Sequence, residues 1–176
     1  MKSKDAVERA SRINILIMDV DGVLTDGTIV IDDRGLESKF FDVRDGHGIK
    51  MLARAGVKTA IVTGRSSNVV KHRARELGID YVHQGATKKG DTVEKILNDA
   101  RLTGDDAAYI GDDLIDIPAM RKVGLAVAVA DSVDEVIKAS DIVTEKRGGK
   151  GAVREAAEFI LKSKGVWKET IKRYSS

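Results

Sequence analysis

A chain of 176 residues is long enough for one domain with a substantial hydrophobic core, and we expect a single domain over residues 1–176. Its 30 lysines and arginines nearly balance 28 aspartates and glutamates and form no long run of one sign, which argues against a nucleic-acid or membrane partner. The absence of cysteine excludes disulfides and thiolate metal sites. No apolar run could span a bilayer and the first residues lack the apolar core of a signal peptide, so we expect a cytoplasmic protein.

Apolar runs and glycines predict strands that alternate with helices along the chain. In chain order, we predict a helix at 5–12, a strand at 13–18, a hairpin at about 28–41, a helix at 47–55, a strand at 57–62, a helix at 66–77, a strand at 81–83, a helix at 89–101, a strand at 107–110, a helix at 114–122, a strand at 125–129, a helix at 133–139, a short strand at 142–143, a helix at 152–162 and a tail at about 164–176. This alternation predicts an α/β fold, a Rossmann-like doubly wound parallel sheet with helices on both faces.

Two carboxylates, Asp19 and Asp21, lie where the first predicted strand ends. Because a strand repeats every two residues, both side chains can point to the same side, and their repulsion is costly unless a cation or a proton shares the site. Gly22 then allows a sharp turn. The pattern indicates a metal-assisted phosphate site in which one carboxylate attacks and the other moves protons, although a solvated acidic turn is an alternative.

Three more polar clusters each follow a strand-like run. They are Thr63-Gly64-Arg65, the segment Gln84–Lys89, and the segment Gly111–Asp116. In an open parallel sheet, ligands bind at the carboxyl ends of the strands, so we expect all four clusters to meet at one edge.

That ordered set resembles the haloacid dehalogenase-like phosphohydrolases, with a DxDG motif, Thr63, a lysine at 88 or 89, and GDDxxD in sequence. More closely, the segments DVDGVLTDG, VRDGHGIKML, TGRSS, GDDLIDIPAM, VAVADS and RGGKGAVRE resemble the small bacterial phosphatases that act on 3-deoxy-D-manno-octulosonate 8-phosphate, an intermediate on the way to lipopolysaccharide. The resemblance implies a phosphatase for a phosphorylated sugar acid, with Mg²⁺ as cofactor.

The resemblance also implies roles for individual residues. Asp19 attacks phosphorus and forms an aspartyl-phosphate, and Asp21 acts as general acid and then as general base. Thr63 and Lys89 stabilise the phosphoryl group. Mg²⁺ is held by the carboxylates of Asp19 and Asp112 and by the backbone carbonyl of Asp21.

Several assignments have an alternative. Lys89, four residues after the glycine of the QG pair, is preferred to its neighbour Lys88 as the motif lysine. Asp113 and Asp116 are interpreted as residues that orient the metal ligands or the lysine, while helix capping is an alternative for Asp113.

Substrate contacts are implied by the same resemblance. The residues concerned are Val43, Arg44, Asp45 and Gly46, in a loop before the first long helix, together with Gly64, Arg65 and Arg73. Arginine can hold a carboxylate through two parallel hydrogen bonds, although Arg73 is also compatible with an exposed helix charge.

The predicted hairpin occupies the place of a cap domain, because the chain has no large insertion between Gly22 and Thr63. By resemblance, such minimal-cap phosphatases form homotetramers in which a neighbouring subunit helps to close each site. The apolar hairpin residues Ile29, Val30, Ile31, Phe40 and Phe41 could form that interface, or could pack on their own domain.

One other substrate and two other classes of protein remain open. One is a phosphatase of the same architecture that acts on a nine-carbon, sialic-acid-type 9-phosphate, although TGR rather than an acidic residue after Thr-Gly favours the eight-carbon sugar. A receiver-like signalling domain uses similar residues, but Asp21 beside the nucleophile favours hydrolysis. A non-catalytic module is disfavoured because Asp19 and Asp21 are both present.

Overall fold

The structure of the protein is a computed structural model that describes residues 4–174. Its strands are β1 Ile15–Met18, β2 Val30–Ile31, β3 Glu37–Ser38, β4 Lys58–Val62, β5 Tyr81–His83, β6 Ala107–Gly111, β7 Leu125–Ala128 and β8 Ile142–Val143. Its helices are α1 Lys4–Arg12, α2 Val43–Arg54, α3 Asn68–Leu77, α4 Lys89–Ala100, α5 Ile117–Met120, α6 Asp134–Ala139, α7 Ala152–Ser163 and α8 Trp167–Lys172. Two 3₁₀ turns cover Gly104–Asp106 and Leu114–Asp116.

Six of the strands form one parallel sheet in the order β5-β4-β1-β6-β7-β8. The other two, β2 and β3, pair antiparallel as a separate hairpin. The predicted fold class, a doubly wound parallel sheet with a small hairpin, is therefore confirmed.

Alternate residues of the central strand β1 face two separate cores. Leu16 and Met18 belong to the cluster that contains buried residues of α1, α2, α3 and α7, whereas Ile15 and Ile17 belong to the cluster with α4, α5 and α6. Both faces of a parallel sheet are covered by helices in such folds, which is why the strands are apolar throughout. Helix α8 adds Trp167 and Ile171 to the first core, so the predicted tail contains a packed helix.

The register of the sheet brings the polar clusters to one edge. Met18 pairs with Ile61 of β4 on one side and with Ile110 of β6 on the other. Strand β1 ends at this level, and β4 and β6 each continue for one more residue, so Asp19, Thr63 and Asp112 leave the sheet close to one another. The first strand of the chain lies at the centre, with the motifs after β4 and β6 on either side of it.

Two predicted helices differ from the structure by more than one or two residues at an end. Helix α2 begins at Val43 instead of residue 47, because the carboxylate of Asp42 accepts a hydrogen bond from the backbone N–H of Arg44 at 2.7 Å and caps the first turn. The predicted helix at 114–122 is a 3₁₀ turn followed by the short helix α5, which has a proline in its first turn. No helix among residues 4–174 is long and apolar enough to cross a bilayer.

Candidate active site

A buried lysine lies between two buried carboxylates at the carboxyl end of the sheet. Nζ of Lys89, the first residue of α4, lies 2.7 Å from Oδ2 of Asp19 and 2.7 Å from Oδ1 of Asp116. Burial opposes the charge of Lys89, but the two carboxylates raise its pKa above the ordinary value. Lys88, by contrast, is exposed, so the structure brings Lys89 and not its neighbour into the cluster.

Asp116 is fully buried, and hydrogen bonds from four donors occupy its oxygens. The hydroxyl of Tyr109 donates to Oδ1 at 2.7 Å, as does Lys89, while the backbone N–H groups of Asp112 and Asp113 donate to Oδ2 at 3.0 and 3.2 Å. Asp116 therefore orients Lys89 and fixes the loop after β6. The exposed Asp113 accepts from the N–H of Leu114 at 2.7 Å and caps the 3₁₀ turn, which agrees with the capping alternative.

The oxygens of Asp19 and Asp112 have the character of a cation site. One oxygen each from Asp19, Asp112 and Asp116 lies within 4.8 Å of the others, and Oδ1 of Asp112 is buried without a hydrogen-bond partner. Burial, followed by the charge of Asp116, raises the pKa of Asp19 to about 6 and that of Asp112 to about 7. A group of three acids with one buried lysine and an unpartnered carboxylate oxygen fits a hard divalent cation, which prefers oxygen ligands. Asp116 already accepts from four donors, whereas the oxygens of Asp19 contact one donor each, Lys89 and the N–H of Val20, so Asp19 and Asp112 are the residues that could hold the ion.

Gly22 allows Asp112 to approach the loop after β1. Its φ of +87° is one that residues with side chains rarely adopt, and a Cβ at this position would overlap the carboxylate of Asp112. The glycine of the DxDG motif thus provides a turn and also the space in which the two acidic motifs meet.

Thr63 lies directly after β4, buried beside the same edge. Its N–H donates to the carbonyl of His83 at 3.0 Å, and its carbonyl accepts from the N–H of Ala86 at 3.0 Å. These bonds tie the second motif to the loop that leads to Lys89. Gly64 and Arg65, the next residues, are exposed at the mouth of the site.

A network of charges on the hairpin side of the site was missed by the sequence analysis. Lys39, just after β3, contacts Oδ1 of Asp21 and lies 3.2 Å from Glu37, while Arg65 lies 2.9 Å from Glu37 and 3.8 Å from Oδ2 of Asp21. Two charged residues two positions apart on a strand share one face, which is a signal for such a pair. What the sequence did not indicate is that this face lies against Asp21.

The predicted substrate residues of the VRDG segment differ in their exposure to solvent. The segment is the first turn of α2, in which Val43 and Arg44 are exposed and Arg44 pairs with Asp42. Asp45 is buried instead, and its carboxylate accepts from the N–H groups of Gly151 at 3.2 Å and Arg154 at 2.7 Å. The structure therefore turns Asp45 towards α7, contrary to the expectation of a substrate contact.

Arg73 lines a cleft of about 530 Å³ beside the hairpin, together with Lys39, Phe41, Val43 and His72. Its Nε is buried without a hydrogen-bond partner, while Nη1 lies 2.8 Å from Glu76. Gly46 makes room for this side chain, because a Cβ there would overlap the guanidinium group. Arg73 is thus a partly buried cation at a cleft, in contrast to the alternative of a fully exposed helix charge.

The glycine-rich segment before α7 supports the loop after β1. The N–H of Gly149 donates to the carbonyl of Val23 at 2.8 Å, and the N–H of Gly148 donates to Asp131 at 3.0 Å. A Cβ at Gly148 would overlap the carbonyl of Gly22. This close backbone approach explains the paired glycines, which the sequence alone does not distinguish from a plain connection.

Comparisons with known proteins agree with this geometry. A model of the haloacid dehalogenase-like hydrolase family matches residues 82–156. The 3-deoxy-D-manno-octulosonate 8-phosphate phosphatase KdsC of Escherichia coli (strain K12) is 44% identical over 163 residues, which cover 93% of this chain and 87% of the relative.

Two solved structures extend the likeness to three dimensions. The 3-deoxy-D-manno-octulosonate 8-phosphate phosphatase from Moraxella catarrhalis, in complex with magnesium ion, phosphate ion and KDO molecule, has a TM-score of 0.95 at 39% identity over 97% of this chain and 98% of that chain. The cobalt-bound deoxy-D-mannose-octulosonate 8-phosphate phosphatase from Haemophilus influenzae has a TM-score of 0.88 at 41% identity over 90% of this chain and 93% of that chain.

The parallel sheet and the acidic cluster at its edge are those of a haloacid dehalogenase-like hydrolase. With 44% identity over 93% of its length, the chain belongs within that class to the 3-deoxy-D-manno-octulosonate 8-phosphate phosphatase family. The family resemblance and the enzyme class predicted from the sequence are confirmed.

Proposed function

We propose that the protein is a Mg²⁺-dependent phosphatase that releases phosphate from 3-deoxy-D-manno-octulosonate 8-phosphate, in lipopolysaccharide precursor synthesis. The observation that carries the chemistry is the buried contact of Lys89 with Asp19, next to the unpartnered oxygen of Asp112. The arrangement combines a nucleophile candidate, a cation for the phosphoryl oxygens and a place for a metal ion. Membership of the family supports the choice of substrate.

The reaction begins with attack of the Asp19 carboxylate on phosphorus. A bond forms between the carboxylate oxygen and phosphorus, the bond from phosphorus to the sugar oxygen breaks, and Asp21 donates a proton to that leaving oxygen. Lys89 and Thr63 stabilise charge on the phosphoryl oxygens. Asp19, Asp112 and the carbonyl of Asp21 would hold Mg²⁺, which would supply further positive charge to the phosphoryl group.

The second half of the reaction restores the enzyme. A water molecule attacks the phosphorus of the aspartyl-phosphate and gives its proton to Asp21, which became a base when it protonated the leaving group. Inorganic phosphate leaves and Asp19 returns to its carboxylate form. Asp116 takes no part in bond formation and holds Lys89 in place.

Recognition of the sugar acid falls to residues around the mouth of the site. Arg73 and Val43 line the cleft, Arg73 with a buried, unpartnered nitrogen for which Gly46 makes room. Arg65, next to Gly64, is exposed and lies 3.8 Å from Asp21, and Arg44 is exposed at the start of α2, 3.5 Å from the carbonyl of Lys150. A guanidinium group can hold the carboxylate of the sugar acid through paired hydrogen bonds. Asp45 is not included, because its carboxylate is already bonded to the start of α7.

The active form in this proposal is a cytoplasmic homotetramer of single-domain subunits. The hairpin exposes Ile29, Ile31, Leu36 and Phe40, with 55–69% of each residue accessible. Exposed apolar groups clustered on one small element are typical of an interaction surface, and a neighbouring subunit placed there would help to close the site. Phe41, by contrast, packs against the core of its own chain.

The substrate is tested by phosphate release from a panel of sugar and nucleotide phosphates, with Mg²⁺ and with a chelator. We expect a strong preference for 3-deoxy-D-manno-octulosonate 8-phosphate that is lost on chelation. Preference for a nine-carbon sugar-acid 9-phosphate would retain the mechanism and overturn the substrate. A stable phosphorylated protein without release of phosphate would contradict hydrolysis itself.

A further inference from the structure

The hairpin sends one charged side chain into the catalytic centre. Only 2% of the Lys39 side chain is exposed, and its ammonium group contacts Oδ1 of Asp21 from 18 residues further along the chain. Burial of an ammonium group is costly unless anions compensate it, and here two are present, Asp21 and Glu37 at 3.2 Å. This buried lysine has no part in the reaction described above.

The network assigns a separate cation to each oxygen of Asp21. Lys39 contacts Oδ1, while Nε of Arg65 lies 3.8 Å from Oδ2. Glu37 lies between the two cations, with Oε1 3.2 Å from Lys39 and 2.9 Å from Arg65. The charges alternate in sign around the group, so each side chain is held by its neighbours, and Lys39, with 2% of its side chain exposed, is the most buried member of the network.

We propose that Lys39, anchored by Glu37, is a positioning residue that aims the carboxyl group of Asp21 at the leaving oxygen of the substrate. The hairpin thereby orients the acid–base group within its own subunit. The proposal rests on the proposed function, because it assumes that Asp21 transfers the proton. Lys39 is then required for proton transfer to a poor leaving group and much less for the attack of Asp19 on phosphorus.

The test separates these two steps by the choice of leaving group. An alkoxide such as the sugar oxygen needs a proton as it departs, whereas the nitrophenolate of p-nitrophenyl phosphate does not. The full-length Lys39→Met, Lys39→Arg and Asp21→Asn proteins are compared for steady-state kcat and KM on 3-deoxy-D-manno-octulosonate 8-phosphate. The pre-steady-state burst of nitrophenolate, which reports phosphorylation of Asp19, is measured on the aryl ester.

We expect Lys39→Met to lower kcat on the sugar phosphate by about 10- to 100-fold, a part of the typical contribution of a general acid, with little change in KM. The loss in burst rate on p-nitrophenyl phosphate should be at least about ten times smaller. Lys39→Arg should recover most of kcat, because it restores a cation at the same place. Glu37→Gln should also lose more activity on the sugar phosphate than on p-nitrophenyl phosphate, with a smaller loss than Lys39→Met.

Arg34→Met is the matched control, since Arg34 is a basic residue of the same hairpin whose side chain is 80% exposed. It should leave both activities unchanged. Equal losses of Lys39→Met on both substrates, or a change in KM alone, would overturn the positioning role, as would wild-type kcat in that variant. If Asp21→Asn loses the same activity on both substrates, the proton-transfer step of the proposed function is wrong as well. If Asp21→Asn loses more on the sugar phosphate and Lys39→Met does not, only the inference about Lys39 is overturned.

Discussion

Lys89 places its ammonium nitrogen 2.7 Å from a carboxylate oxygen of Asp19, with 1% of the lysine side chain and 6% of the aspartate side chain exposed. The same nitrogen lies 2.7 Å from Asp116, so that one buried cation lies between two acids. Together with Asp112, the cluster has more negative charges than positive ones. The charge of Lys89 therefore compensates the acids of the site only in part, and a second cation would compensate the rest. This excess of negative charge is the electrostatic basis for the proposed metal.

Replacement of Lys89 by methionine should abolish most of the activity and destabilise the protein. Asp19 and Asp116 would be left as buried acids without their common partner, a loss that typically costs about 3–5 kcal/mol. We expect kcat to fall by at least about 100-fold, the effect of removing one donor that stabilises a transition state. Phosphate release and the midpoint of urea unfolding measure the two effects.

Lys88→Met is the control for that experiment, because Lys88 precedes Lys89 and is exposed. It should leave activity and unfolding midpoint close to the wild-type values. The opposite result, loss of activity in Lys88→Met and not in Lys89→Met, would show that the neighbouring lysine serves the phosphoryl group.

The metal-free protein should become less stable, relative to an Asp112→Asn variant, as the pH rises. The folded protein raises the pKa of Asp112 from the ordinary 3.8 to about 7 through burial and the charge of Asp116. Between those values the folded state holds a proton that the unfolded chain has released, so the stabilising effect of the raised pKa is lost as the pH rises through about 7. When melting temperatures are measured in chelator from about pH 5 to about pH 8, the melting temperature of Asp112→Asn should rise relative to that of the wild type.

Addition of Mg²⁺ should make the wild type more stable than Asp112→Asn at neutral pH. Because a ligand that binds only the folded state stabilises it, addition of Mg²⁺ at neutral pH should raise the melting temperature of the wild type much more than that of Asp112→Asn. Asp113→Asn is the control, since Asp113 is exposed and asparagine also caps. Equal stabilisation of wild type and Asp112→Asn by Mg²⁺ would exclude Asp112 as a ligand.

Asp45 should be important for the fold and dispensable for binding. Asp45→Ala leaves the N–H groups of Gly151 and Arg154 without their acceptor, and we expect a loss of about 1–3 kcal/mol in the free energy of unfolding. Asp45→Asn retains an oxygen acceptor and should keep KM for the sugar phosphate close to the wild-type value. A large rise in KM for Asp45→Asn with an unchanged unfolding midpoint would restore the role of a substrate contact.

The local sequence pattern was sufficient to predict much of the fold and of the candidate site. It failed where the position of a residue depends on segments that are distant in the chain. Asp19 and Asp21 could be placed because a strand alternates every two residues, and the order of motifs predicted that they meet Lys89 and Asp112. Lys39 could not be placed, because its position depends on how the hairpin folds back over Asp21. The bonds of Asp45 could not be predicted for a similar reason, since its partners, at the start of α7, are more than 100 residues away in the chain.

The central claim is hydrolysis of 3-deoxy-D-manno-octulosonate 8-phosphate through Asp19. The most direct measurement is phosphate release from this compound by the wild type and by Asp19→Asn, each with Mg²⁺ and with both proteins shown to be folded by circular dichroism. We predict rapid turnover by the wild type and no detectable turnover by the variant, which has lost the nucleophile. Full activity in Asp19→Asn, or no release by the wild type, would contradict the account.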